Sequence, residues 1–126
     1  MRKEIADIKA FQRAFECNVL PAPTMPAKEI QELRVRLLQE ELDELKQANE
    51  DNDIVEVGDA LTDILYILLG TACEYGLIDK MEDMWDLVHR NNMNKLWPDG
   101  KVHKREDGKV IKPEGFEKVE LKTLFQ

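Results

Sequence analysis

The chain has 126 residues, 35% of them charged, with a formal net charge of -8. That length suits one domain with a core of its own, and the acidic balance excludes bulk attraction to nucleic acid polymers or anionic membranes. Cys17 and Cys73 have neither metal-site spacing nor the density of a disulfide scaffold, so free thiols in a reducing, cytoplasmic compartment are expected.

Ile5, Ile8, Phe11 and Phe15 recur at helical spacing and predict a first helix over residues 2–16. Pro21, Pro23 and Pro26 then interrupt, so Asn18 to Pro26 reads as a stiff extended connector. A second helix is expected from near Ala27 to about Ala48. On it Ile30, Leu33 and Leu37 lead into Glu41 and Glu44, and at about 100° per residue all five fall within roughly a quarter-turn. The carboxylates are therefore expected on the packing face. Asn49 to Asp53 reads as a short loop, with Asp53 the N-cap of a third helix that runs to Tyr75 and stops at Gly76. Glu56, Asp59 and Asp63 head a row on it that Tyr66, Ile67 and Gly70 continue. Its most apolar run, Ile64 to Leu69, is too short to span a bilayer.

Asp79 with Glu82 three residues on is a capping pattern for a fourth helix, which fades near Leu96, before Pro98. Met81, Met84, Trp85 and Val88 form its stripe and hand over to Asn92 and Lys95. In the tail, Asp99-Gly100 and Asp107-Gly108 are turn dipeptides, and Lys101 to Arg105 and Lys109 to Lys112 are placed to pair as a small basic hairpin. It is either a charged edge ribbon that resists aggregation or a lid that contacts an anionic substrate. The expected fold is all-α: one domain over residues 1–126, a four-helix-type bundle (1–96) with a short extended or hairpin tail (97–126). Ile64, Leu65, Ile67, Leu68 and Leu69 leave apolar surface on more than one helix face, so an oligomer is expected.

Glutamates three or four apart on a solvated helix repel by only ~0.2–0.5 kcal/mol, and an acidic run is usually a wet face. Partly buried charges ~4 Å apart repel by roughly 4 kcal/mol at an effective dielectric of about 20, against a domain stability of ~5–15 kcal/mol. Inward-facing carboxylates on two helices thus call for a cation or protons. Oxygen-only ligation selects Mg²⁺ or Mn²⁺ and not Zn²⁺; His89 reads as a packing residue and His103 has no ligand spacing. Hard cations complete their shells with water and phosphate oxygens. Lys95 is suited to stabilising phosphate charge, and Glu40 is either a base or a solvated residue.

The run Leu37-Leu38-Gln39-Glu40-Glu41-Leu42-Asp43-Glu44-Leu45 and the run Gly58-Asp59-Ala60-Leu61-Thr62-Asp63-Ile64-Leu65-Tyr66 resemble the all-α nucleoside triphosphate pyrophosphohydrolases. The similarity is to the MazG-like, phosphoribosyl-ATP-pyrophosphohydrolase-like branch. Val88-His89-Arg90-Asn91-Asn92-Met93-Asn94-Lys95 and the run from Asp107 to Phe116 echo the same branch. The resemblance implies a helical bundle assembled as a homodimer or dimer of dimers. It implies Mg²⁺-dependent hydrolysis of a (deoxy)nucleoside triphosphate between the α and β phosphates, giving the monophosphate and pyrophosphate, in nucleotide-pool cleaning.

Glu41, Glu44 and Asp63 match metal ligands, Glu40 the base, and Asn92 and Lys95 substrate-contacting positions; Tyr66, Lys109 and Lys112 are further candidates for substrate contact. The family's usual Glu three residues before Asp63 is Ala60 here, so Asp59 is the expected replacement ligand, with Glu56 in reserve. Gln12 stands where relatives often carry His. The alternatives are the phosphoribosyl-ATP enzyme of histidine biosynthesis, which usually has His where this chain has Ile67, and a non-catalytic metal-binding helical bundle.

Overall fold

Among the described residues, 1–125 of the computed structural model, four α-helices form and no strand does. They are α1 (Arg2–Ala14), α2 (Lys28–Glu50), α3 (Ile54–Glu74) and α4 (Met81–Met93). The chain divides into two compact units, Met1–Asp79 and Lys80–Gln126. The fourth helix therefore groups with the tail.

In the first unit, α2 and α3 form a helical hairpin around the loop Asp51–Asp53. Asn52 takes a left-handed φ of 52°, and Asp53 caps α3 by accepting from the amides of Val55 and Glu56, each at 3.1 Å. The expected cap thus forms. Further from the turn, Arg34 locks the pair: Nε donates to Thr71 Oγ1 at 3.0 Å and Nη2 to the Ile67 carbonyl at 2.9 Å. Gly70 lies between, and a Cβ there would meet the Arg34 guanidinium at 2.7 Å. A long side chain fills the space that a smaller one at position 70 leaves open.

α1 packs on α3 through the first half of the expected stripe only. Ile8 and Gln12 are buried, whereas Phe11 and Phe15 are exposed. Gln12 is held by a polar core: its Nε2 donates to the Asn18 carbonyl at 2.9 Å and to Glu74 Oε1 at 3.1 Å, and Asn18 Nδ2 donates to Glu74 Oε2 at 2.9 Å. Buried polar groups cost little when paired in this way. The Pro-rich connector runs along the end of α3, where the Leu20 amide donates to the Cys73 carbonyl and the Thr24 amide to the Tyr75 carbonyl. Gly76, at φ 67°, ends α3 as expected. Cys17 and Cys73 are free, and burial pushes the Cys73 thiol upward, which makes it an unreactive core residue.

The Asp79–Glu82 capping box does not form. Asp79 lies in a short 3₁₀ turn, Ile78–Lys80, and its carboxylate pairs with Lys9 Nζ at 2.6 Å; α4 begins at Met81 with no side-chain cap bond. An ion pair 70 residues away outcompetes the local cap.

In the second unit, α4 buries Leu87 and Asn91. Trp85 and Val88, expected on the core stripe, are exposed. The two tail turns form as expected, with Gly100 and Gly108 at positive φ, but the hairpin contracts to a single antiparallel bridge, Lys104 with Val110. Trp97 stacks on His103 with ring centroids 3.9 Å apart and donates Nε1–H to the Ile111 carbonyl. Indole and imidazole thereby take over packing that a longer ladder would supply. A 3₁₀ turn, Leu121–Phe125, which no sequence pattern announced, packs on α4. No single helix among the described residues is long and apolar enough to cross a membrane.

Candidate metal centre

The hairpin explains why acidic groups meet. Glu41 lies eleven residues before Asn52 (52 − 41) and Asp63 eleven after it (63 − 52), so helices that turn back there bring the two level. Glu44, one turn on from Glu41, joins them. One carboxylate oxygen from each of Glu41, Glu44 and Asp63 lies within 4.8 Å of the other two; Glu41 and Asp63 are half-buried and Glu44 is exposed. Three charges at up to 4.8 Å repel pairwise by ~1 kcal/mol in water and by ~3.5 kcal/mol at an effective dielectric of about 20. The half-buried setting lies between those limits.

Glu41 carries the strain of the arrangement. Its Oε2 is buried without a hydrogen-bond partner. Burial first, then a hydrogen bond with Glu44, then the charges of Glu44, Asp63 and Asp59 push its carboxyl up to about 7. An unpartnered buried oxygen beside two further carboxylates fits a hard cation, since only a proton or a positive ion relieves such a group. Among the described residues no histidine or thiol joins the cluster, so its donors are oxygens alone, the set that hard cations take.

The remaining sequence candidates are placed less uniformly. Asp59 is exposed and outside the trio, though its charge reaches Glu41. Glu56 is exposed in the first turn of α3. Glu40 is exposed and borders, with Val35, Arg36 and Asp43, an open groove along α2. Tyr66 packs edge-on against Phe11 at 5.3 Å, and Phe11 stacks on Phe15 at 4.6 Å. All three rings are partly exposed, and Tyr66 lies one helical turn from Asp63. In the second unit, Lys95 Nζ donates to Asn92 Oδ1 at 2.8 Å, and the Lys112 ammonium lies 5.7 Å from the Phe116 ring centre. Lys109 is exposed, with its amide bonded to Asp107.

Sequence reasoning passed over Arg34 and Glu74, and it singled out Gln12 only as standing where relatives often carry His. Gln12 is four residues after Ile8 and Arg34 four after Ile30, so each continues an apolar stripe, and that spacing was the available signal.

An all-helical chain that gathers carboxylates from both arms of a helical hairpin has the make-up of an α-helical nucleotide pyrophosphohydrolase, a hydrolase of phosphoanhydride bonds. The sequence supplies the particular family. Residues 8–92 match phosphoribosyl-ATP pyrophosphohydrolase, and the chain belongs to that family. The match takes in Glu41, Glu44 and Asp63 and ends before the tail. No individual curated protein matches the chain.

Proposed function

We propose that the protein hydrolyses a (deoxy)nucleoside triphosphate between the α and β phosphates, with Mg²⁺ or Mn²⁺ held by Glu41, Glu44 and Asp63. The observations that carry this reading are that carboxylate oxygens of Glu41, Glu44 and Asp63 lie within 4.8 Å of one another and that one Glu41 oxygen is buried without a partner. When bound, such an ion neutralises phosphate charge and lowers the pKa of water. Glu41, Glu44 and Asp63 would hold it through one carboxylate oxygen each, and Asp59 adds charge from outside the trio. Glu40, about 100° round α2 from Glu41, is the proton acceptor in this reading. Asn92, Lys95, Lys109 and Lys112 are assigned to the phosphate chain, and Tyr66, with its partners Phe11 and Phe15, to the nucleoside, whose base offers a face for stacking.

The second reading, phosphoribosyl-ATP as substrate, is favoured by the family match. Both predict pyrophosphate as a product. A panel of nucleoside triphosphates and phosphoribosyl-ATP, assayed for pyrophosphate release with Mg²⁺ and with chelator, separates them; release from none of the panel would leave only a non-catalytic metal-binding bundle. We also propose a homodimer or dimer of dimers, supported by the exposure of Ile54, Val55, Leu61 and Leu65 on α3. Cytoplasmic placement rests on the two free thiols.

A further inference from the structure

The second unit, taken by itself, contains a cavity of about 200 Å³. Asn92 lines it from α4, Lys95 from the turn just beyond that helix, and Lys112, Phe116 and Lys118 from the tail. The tail is fastened beside it by a reciprocal clamp: buried Asn91 donates from Nδ2 to the Val119 carbonyl at 2.9 Å and accepts the Val119 amide at 3.1 Å on Oδ1. Lys118 precedes that clamped residue, so its backbone is fixed relative to α4.

Among the described residues no carboxylate lines the cavity, and Lys95, Lys112 and Lys118 have no ion-pair partner. Three lysines line one cavity without a carboxylate among its walls, in a protein of net charge -8. Like charges so placed are stabilised by an anion, and lysine ammoniums are suited to phosphate as point charges with several donors. Size narrows the ligand. Pockets for whole small-molecule ligands run to ~300–1,000 Å³, so a cavity of about 200 Å³ takes a diphosphate group and leaves a nucleoside outside.

We propose that this cavity is a diphosphate pocket in which Lys118 and Lys112 join Lys95, and that it binds without a divalent ion. The identity of its natural ligand, the pyrophosphate portion of the substrate, rests on the proposed function; the binding of inorganic pyrophosphate does not. The test is calorimetric titration of inorganic pyrophosphate into the full chain with chelator at low salt, using wild type, Lys118→Gln, Lys118→Arg and Lys104→Gln. Wild type should bind, Lys118→Gln should weaken binding ~10-fold or more, Lys118→Arg should retain it, and Lys104→Gln, outside the cavity, should leave it unchanged.

Absence of binding to wild type at millimolar pyrophosphate overturns the pocket. So does equal weakening by Lys104→Gln and Lys118→Gln, which would mean diffuse attraction to a basic tail. If nucleotide turnover persists while wild type fails to bind pyrophosphate, the pocket fails and the enzymatic reading stands. Pyrophosphate binding in a chain that turns over no nucleotide is the reverse case.

Discussion

Divalent metal binding should weaken about tenfold between pH 8 and pH 6, with Glu41 as the cause. A carboxyl must lose its proton to ligate a hard cation, and this one is pushed up to about 7. At that value ~90% of Glu41 is ionised at pH 8 and ~10% at pH 6, a ~10-fold difference in competent sites. Calorimetric titration of Mg²⁺ in buffers of contrasting ionisation enthalpy should show nearly one proton released per ion at pH 6 and almost none at pH 8. The metal-free fold responds with the opposite sign. Because the folded value is raised from 4.5, the stability that Glu41 contributes is fully present below about 4.5 and is lost as pH rises through about 7. Glu41→Gln should remove that loss and the proton release together, while weakening metal binding. Equal Mg²⁺ affinity at pH 6 and pH 8, with no proton exchanged at pH 6, would refute the reasoning.

Asp63→Asn should lower turnover by orders of magnitude, whereas Glu56→Gln should cost no more than ~10–100-fold and Asp59→Asn should fall between; steady-state rates at saturating Mg²⁺ that place Glu56→Gln lowest would move the site by two helical turns. Gly76→Ala should destabilise by ~2–4 kcal/mol, because its Cβ would lie 1.9 Å from the Ala22 carbonyl oxygen at a positive φ; a urea midpoint equal to wild type would disprove that contact. Sedimentation at micromolar concentration should give a dimer or larger species, and a Leu65→Glu variant should shift it towards monomer. A wild-type monomer would refute the assembly.

Much of the fold could be read from periodicity and punctuation. Asp53 and Gly76 act through local backbone geometry, so their roles at either end of α3 were visible in sequence, as were the two rows that carry Glu41 on α2 and Asp63 on α3. What stayed hidden depended on partners distant in sequence. Asp79 reads as a helix cap until Lys9 is brought to it. The pairings of Gln12 with Glu74 and of Arg34 with Ile67 span 62 and 33 residues, and a polar side chain in a stripe announces no such partner. On α1 the expected stripe held at Ile8, but Gln12 is buried where Phe11 and Phe15 stay exposed, and on α4 Leu87 and Asn91 are buried instead of Trp85 and Val88, since a satisfied amide packs where hydrophobicity alone would put a ring. The cavity with Lys118 was out of reach because the tail has no period from which to infer a face.

The equal count from Asn52 to Glu41 and to Asp63 makes the centre sensitive to insertions in a way that point substitution does not reveal. One residue inserted within α2 between Glu44 and Asp51 would swing both glutamates ~100° out of phase with Asp63 and slide them ~1.5 Å along the axis. Four residues would nearly restore the phase yet leave a slip of ~6 Å, one helical turn out of step. A residue added at the Asn52 tip changes neither phase nor slip if the loop bulges outward, at a small entropic cost. Length variation compatible with the carboxylate trio is thereby confined to the apex of the hairpin, about three helical turns from Glu41 on one arm and Asp63 on the other.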